Sequence, residues 1–111
     1  MNETEFAALS GLALEKIEHG LESGGADLDF ERAAGGVLEI EFADGSKIVV
    51  NRHAVAQEIW VAAKSGGFHF RYDGSAWRDT RDGEELMAKL SRLATAQAGE
   101  PVQLAWAVNT P

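Results

Sequence analysis

Between Asp27 and Thr80 the chain alternates apolar and polar residues with a period of two. Segments of helical period bracket that stretch on both sides. A strand pattern cannot settle as a helix or the reverse, so the order of elements is helix, strands, helix. The alternating region breaks into six runs: 27–31, 37–42, 46–51, 57–64, 68–73 and 77–80. Gly35-Gly36, Asp44-Gly45, Ser65-Gly66-Gly67 and Asp73-Gly74 punctuate them. These are hairpin turn signals, so neighbouring strands run antiparallel. The first helix is predicted over 3–22, with Asn2 as cap and Glu5 completing a capping box. Phe6, Leu9, Ala13, Ile17 and Leu21 share one face, and Glu15, Glu18 and Glu22 lie opposite. Gly24-Gly25 ends it. The second helix is predicted from Gly83 to about Ala98, capped by Asp82, with Glu85 at the capping-box position and Gly99 and Pro101 as stops. Val102, Leu104 and Trp106 alternate in an extended tail. The expected fold is α+β: a two-layer sandwich, two helices packed on one face of an antiparallel sheet of about six strands. No element remains for the other face, which must meet water or a partner.

A length of 111 residues is that of one domain, expected over 1–106, with 107–111 as a frayed tail. Eighteen acids against ten bases leave a net charge of −8, the wrong sign for a nucleic-acid binder. No apolar run approaches the ~20 residues of a membrane helix. The opening Met1-Asn2-Glu3-Thr4-Glu5 is acidic where a targeting peptide would be basic, so a cytoplasmic location is expected. There is no cysteine. Disulfides, thiolate metal sites and a cysteine nucleophile are therefore excluded.

The charge is uneven. Residues 1–31 carry eight acids and one base, Lys16, so nearly all of the imbalance sits there. Glu15, Glu18 and Glu22 stack along one helix face, where each like-charge pair costs a few tenths of a kcal/mol. Asp27, Asp29 and Glu31 are expected to project from one face of the first strand. If that strand is an edge beside the helix, the two rows form one carboxylate ridge, and His19 adds a nitrogen to it. Such a surface serves solubility, a basic partner, or weak multi-ion binding of hard cations such as Fe²⁺, Fe³⁺, Mn²⁺ or Ca²⁺. It is not an EF-hand: Arg32 and Leu38 stand where that loop needs its glycine and its bidentate glutamate. No His-Glu-x-x-His, Gly-x-Ser-x-Gly or phosphate-loop motif is present. On the sheet's open face the alternation places Glu58, Trp60 and His69, and Trp60 is the natural anchor for a partner.

Several separate motifs also carry a family resemblance. Asn51-Arg52-His53, Glu58-Ile59-Trp60-Val61-Ala62 and Lys64-Ser65-Gly66-Gly67-Phe68-His69-Phe70 resemble the signature of the bacterial frataxins. The likeness runs from Met1 to about Trp106 and takes in Gly35-Gly36-Val37-Leu38, Asp44-Gly45-Ser46-Lys47, Trp77, Asp79, Gly83 and Gln97-Ala98-Gly99-Glu100. It implies an accessory and regulatory role in iron–sulfur cluster assembly. It further implies weak surface binding of iron, which the protein delivers or senses, and contact with a cysteine desulfurase and an iron–sulfur scaffold protein. On the metal ridge it singles out Glu18, Glu22, Asp27, Asp29 and Glu31, and on the sheet face Asn51 and Trp60. The chain departs from the family pattern at His53, Val55 and Glu58, and carries fewer acids around 20–26. An iron-storage or ferroxidase protein is a second reading, and a binding module without a metal role a third. Glu15-Lys16-Ile17-Glu18-His19 misses the Glu-x-x-His spacing of a dinuclear ferroxidase centre, so no enzyme is expected beyond weak ferroxidase activity. The metal-free protein is expected to be monomeric.

Overall fold

The structure, a computed structural model, describes residues 1–24 and 26–106. Gly25 and the tail 107–111 lie outside the described residues. Helix α1 spans Glu3–Ser23. Its capping box forms as expected: the Glu5 N–H donates to Asn2 Oδ1 at 2.7 Å, and the Asn2 N–H donates to Glu5 Oε1 at 3.3 Å. Six strands follow: β1 Leu28–Ala33, β2 Val37–Phe42, β3 Lys47–His53, β4 Glu58–Ala63, β5 Gly66–Tyr72 and β6 Trp77–Asp79. They form one sheet in sequence order, every neighbour antiparallel. Helix α2 is Leu86–Ala98.

One parity of each strand faces the helices. Leu38, Ile40, Ile48, Val50, Ile59, Val61 and Phe70 join Phe6, Ala13, Leu14, Ile17 and Leu21 of α1 and Leu86, Leu90, Leu93 and Ala94 of α2 in a single buried core. Trp77 closes one end, edge-on to Phe6 and Tyr72 with centroids 6.0 and 5.4 Å away. The α1 stripe includes Leu14 and Ser10, while Leu9 is only half-buried. Ser10 is tolerated there because its hydroxyl donates to the Phe6 carbonyl at 2.7 Å. After α2 the chain runs back along the helices, burying Val102 and Leu104. Thr95 and Ser91 hold that tail through their hydroxyls, which both donate to and accept from the Val102 and Leu104 backbones.

Most strand ends shift by one or two residues from the sequence reading, and three boundaries change the local structure. β1 starts at Leu28, which leaves Asp27 outside the strand. Gly66 and Gly67 belong to β5, because Lys64-Ser65 makes the turn and Gly66 takes a φ of +147°. α2 starts at Leu86 with Glu85 as its cap, accepting from the Met87 and Ala88 N–H groups. Gly83 is left-handed at φ +76° and Glu85 is extended and bridges to Arg78, so the helix cannot start at Gly83 and Asp82 cannot cap it. Gln97 accepts from the Lys64 N–H and donates to Ser46 Oγ and the Lys47 carbonyl, fastening α2 to two hairpins.

Candidate functional site

β1 is an edge strand, and α1 lies beside it on the core side. Arg32 of β1 forms an ion pair with Glu18 of α1 and ties the two elements together. Glu18 is therefore half-buried and partnered, while Glu15, His19 and Glu22 are exposed. Asp27 is exposed in the bend before β1, its N–H donating to Glu100 at 3.2 Å. Asp29 and Glu31 take the parity opposite to the core-facing Leu28 and Phe30, so they project onto the open face of the sheet. The two carboxylate rows thus flank the edge on its two sides instead of sharing one plane.

The strand register adds two acids that the sequence reading did not nominate. Asp29 stands opposite Glu41 and Glu31 opposite Glu39. These four, with Lys47, line a shallow groove of about 240 Å³, and Lys47 Nζ lies 3.5 Å from Glu39. Like charges set directly across a strand pair are destabilising. Alternation in Val37–Phe42 was the available signal. It puts Glu39 and Glu41 opposite the core, where the Asp44-Gly45 hairpin and the β1–β2 turn carry them beside β1. Among the described residues no three His, Asp or Glu side chains converge tightly enough to cage a metal. The arrangement suits several weakly held cations with exchangeable water, or a basic protein surface.

The second group of predicted residues lies on the open face across β3, β4 and β5. Asn51 pairs with Trp60, and Trp60 with His69. The Trp60 indole is sandwiched between His53 and His69, with ring centroids 4.0 and 4.5 Å away and planes within 15° of parallel. Its Nε1–H donates to Glu58 Oε1 at 2.8 Å. The other Glu58 oxygen accepts from Arg71 at 2.7 Å, and His69 Nδ1 stands 3.6 Å from Oε1. Burial alone would push the Glu58 carboxyl up. The Trp60 and Arg71 hydrogen bonds and the Arg71 charge outweigh it and hold the carboxyl below the usual glutamate range. Trp60 is therefore part of a flat, braced platform and does not stand out as a free ring. The alternation puts Glu58, Trp60 and His69 on the open face, and it does not place His53 there. Its register opposite Glu58 brings it beside the indole.

Lys89 was not singled out by its sequence. It sits fully inside, Nζ donating to Asp79 at 2.6 Å and to Asp82 at 2.7 Å, and 4.8 Å from the Phe68 ring centroid. Burial opposes its charge, but the two carboxylates outweigh that and keep it protonated, its pKa raised. Asp79 is correspondingly held low: its burial is offset by Lys89 and by the Arg81 N–H. The cluster pins the loop after β6 beneath α2, with Lys89 and Asp79 buried and Asp82 at the surface end.

With this geometry in place, comparison with known proteins is decisive. The family model for the frataxin-like domain matches residues 1–100. The chain belongs to the frataxin family. A relative from Dechloromonas aromatica (strain RCB), named iron-sulfur cluster assembly protein CyaY, is 65% identical over 104 residues, covering 94% of this chain and 99% of that one. A relative of the same name from Paraburkholderia phymatum is 50% identical over 105 residues, covering 95% and 99%. The solved frataxin from Psychromonas ingrahamii superposes with a TM-score of 0.87 at 32% identity, covering 95% of this chain and 99% of that one. The helix–sheet–helix sandwich is thus the frataxin fold, and both the acidic edge and the Trp60 platform are features of this frataxin's surface. Among the described residues no helix is long and apolar enough to cross a membrane.

Proposed function

We propose that this frataxin is an accessory protein of iron–sulfur cluster assembly that binds iron weakly at the β1 edge and modulates a cysteine desulfurase in complex with its scaffold protein. The observation that carries this reading is the concentration of carboxylates on α1, β1 and β2 around one sheet edge. Glu15, Glu22, Asp29, Glu31, Glu39 and Glu41 come from elements meeting there, and Asp27 from the bend before β1. Oxygen donors of this kind take Fe²⁺ or Fe³⁺ at the surface and release them readily. The same field attracts a basic patch on a partner over about one screening length, ~8 Å at physiological ionic strength. Without cysteine the chain cannot carry persulfide sulfur or ligate a cluster through thiolates. Its contribution is to present iron, sense it, or alter the machinery it docks on, with no turnover of its own. The open face, with Asn51 beside the His53–Trp60–His69 platform, offers a flat aromatic surface suited to the scaffold protein.

Anaerobic Fe²⁺ titration followed by amide shifts tests the metal part. Residues 15–31 and 39–41 move first on this reading. A first response centred on His53 or His69 overturns it.

A further inference from the structure

Arg52 lies on β3 with the core-facing parity, at the end of the sheet where the first turns of α1 cross. Among the described residues its buried Nε has no hydrogen-bond partner, and none of the ion pairs includes its guanidinium. The chain nevertheless holds 18 carboxylate side chains. Two glycines make room for this group. A β-carbon on Gly36 would stand 2.6 Å from Arg52 Nη2 and 2.8 Å from Cζ, and one on Gly11 would stand 3.9 Å from Nη1. The guanidinium borders a cavity of about 350 Å³, lined also by Glu3, Phe6, Ala7, Gly35 and Ala54.

We propose that this cavity binds a small organic monocarboxylate, its carboxylate on the Arg52 guanidinium and its apolar body against Phe6, Ala7 and Ala54. A guanidinium fork matches a carboxylate with two parallel N–H donors. The guanidinium has no carboxylate partner among the described residues, so a ligand that brings one adds a charge-assisted pair. The volume is that of a small-ligand site, and most of the wall is apolar. Glu3 at the rim and the net charge of −8 select against polyanions, which leaves a single negative charge as the best fit. The site is independent of the iron–sulfur reading, since neither iron nor a partner protein enters its test.

The test uses the full chain titrated with benzoate, with benzamide as the neutral analogue and inorganic phosphate as the polyanion. Amide shifts of Gly11, Gly36 and Ala54 are the readout. Benzoate is expected to give saturable shifts with a Kd on the order of 1 mM. Glu3→Gln should tighten binding about fivefold by removing a like charge. Arg52→Gln should abolish saturation. Ala7→Phe, which fills the cavity from the exposed side of α1 and leaves Arg52 in place, should abolish it as well. The proposal is overturned if benzoate gives no saturable shift, if benzamide or phosphate matches benzoate, or if binding survives Ala7→Phe.

Discussion

Replacing Glu58 with glutamine removes one charge and almost no volume. In the native chain the Glu58 carboxylate is 7% exposed and accepts charge-assisted hydrogen bonds from Trp60 Nε1 at 2.8 Å and Arg71 at 2.7 Å. A hydrogen bond to a charged acceptor is worth about 1 kcal/mol more than one to a neutral acceptor. The Arg71 side chain is 66% exposed, so its ion pair is screened and adds at most about another 1 kcal/mol. The lost cost of burying an ion offsets part of this. Glu58→Gln should therefore destabilise by about 1 kcal/mol at neutral pH, or about 4 °C in Tm for a chain of this size. Its pH dependence is the sharper signature. The Glu58 carboxyl lies below its ordinary value of 4.5 in the folded protein. Below that value the unfolded chain takes up the proton first. The stabilisation present above it is then lost as pH falls through the folded value. Urea unfolding of both proteins from pH 7 to pH 3 should show a gap that closes only in the acid range. An equal gap at both ends, or a glutamine variant that is the more stable at pH 7, refutes the reasoning.

Lys89→Met leaves Asp79 buried without its partner and should cost about 3–5 kcal/mol, read by urea unfolding at neutral pH. Trp60→Ala should cost about 2 kcal/mol by removing two ring stacks and the Glu58 donor, while the fold persists in circular dichroism because the ring lies off the core. Glu22→Lys should be neutral or slightly stabilising, since it relieves repulsion on an exposed face. Glu18→Lys should instead lower stability by up to about 1 kcal/mol, because it breaks the pair with Arg32; thermal melts of the two variants side by side separate the cases.

Alternation and helical spacing made the architecture legible. They located all eight elements, since a period of two and a period of 3.6 cannot be confused over runs this long. They failed where a local conformation overrode spacing. Gly83 at positive φ delays α2 by three residues, and its sequence neighbour Asp82 resembles a cap but serves Lys89. The acidic edge was legible on α1 and β1 because its residues are close in sequence. Glu39 and Glu41 join it only through strand register, which pairs residues 8–12 apart. His53 and Arg71 complete the Trp60 platform in the same way. Lys89 and Arg52 could not be found by pattern at all. A lysine on an apolar helix stripe and an arginine on the inner face of a strand read as exceptions until their surroundings are known.

The most direct measurement is sulfide release by a cysteine desulfurase, with scaffold protein and Fe²⁺ present, in the presence of this chain and of a folded variant with Glu15, Glu22, Asp29 and Glu31 reversed to lysine. The native chain should change the rate and lose that effect progressively with added salt, and the variant should leave the rate where it was. A variant that changes the rate as much as the native chain contradicts the assignment of the acidic edge as the docking and iron-binding surface.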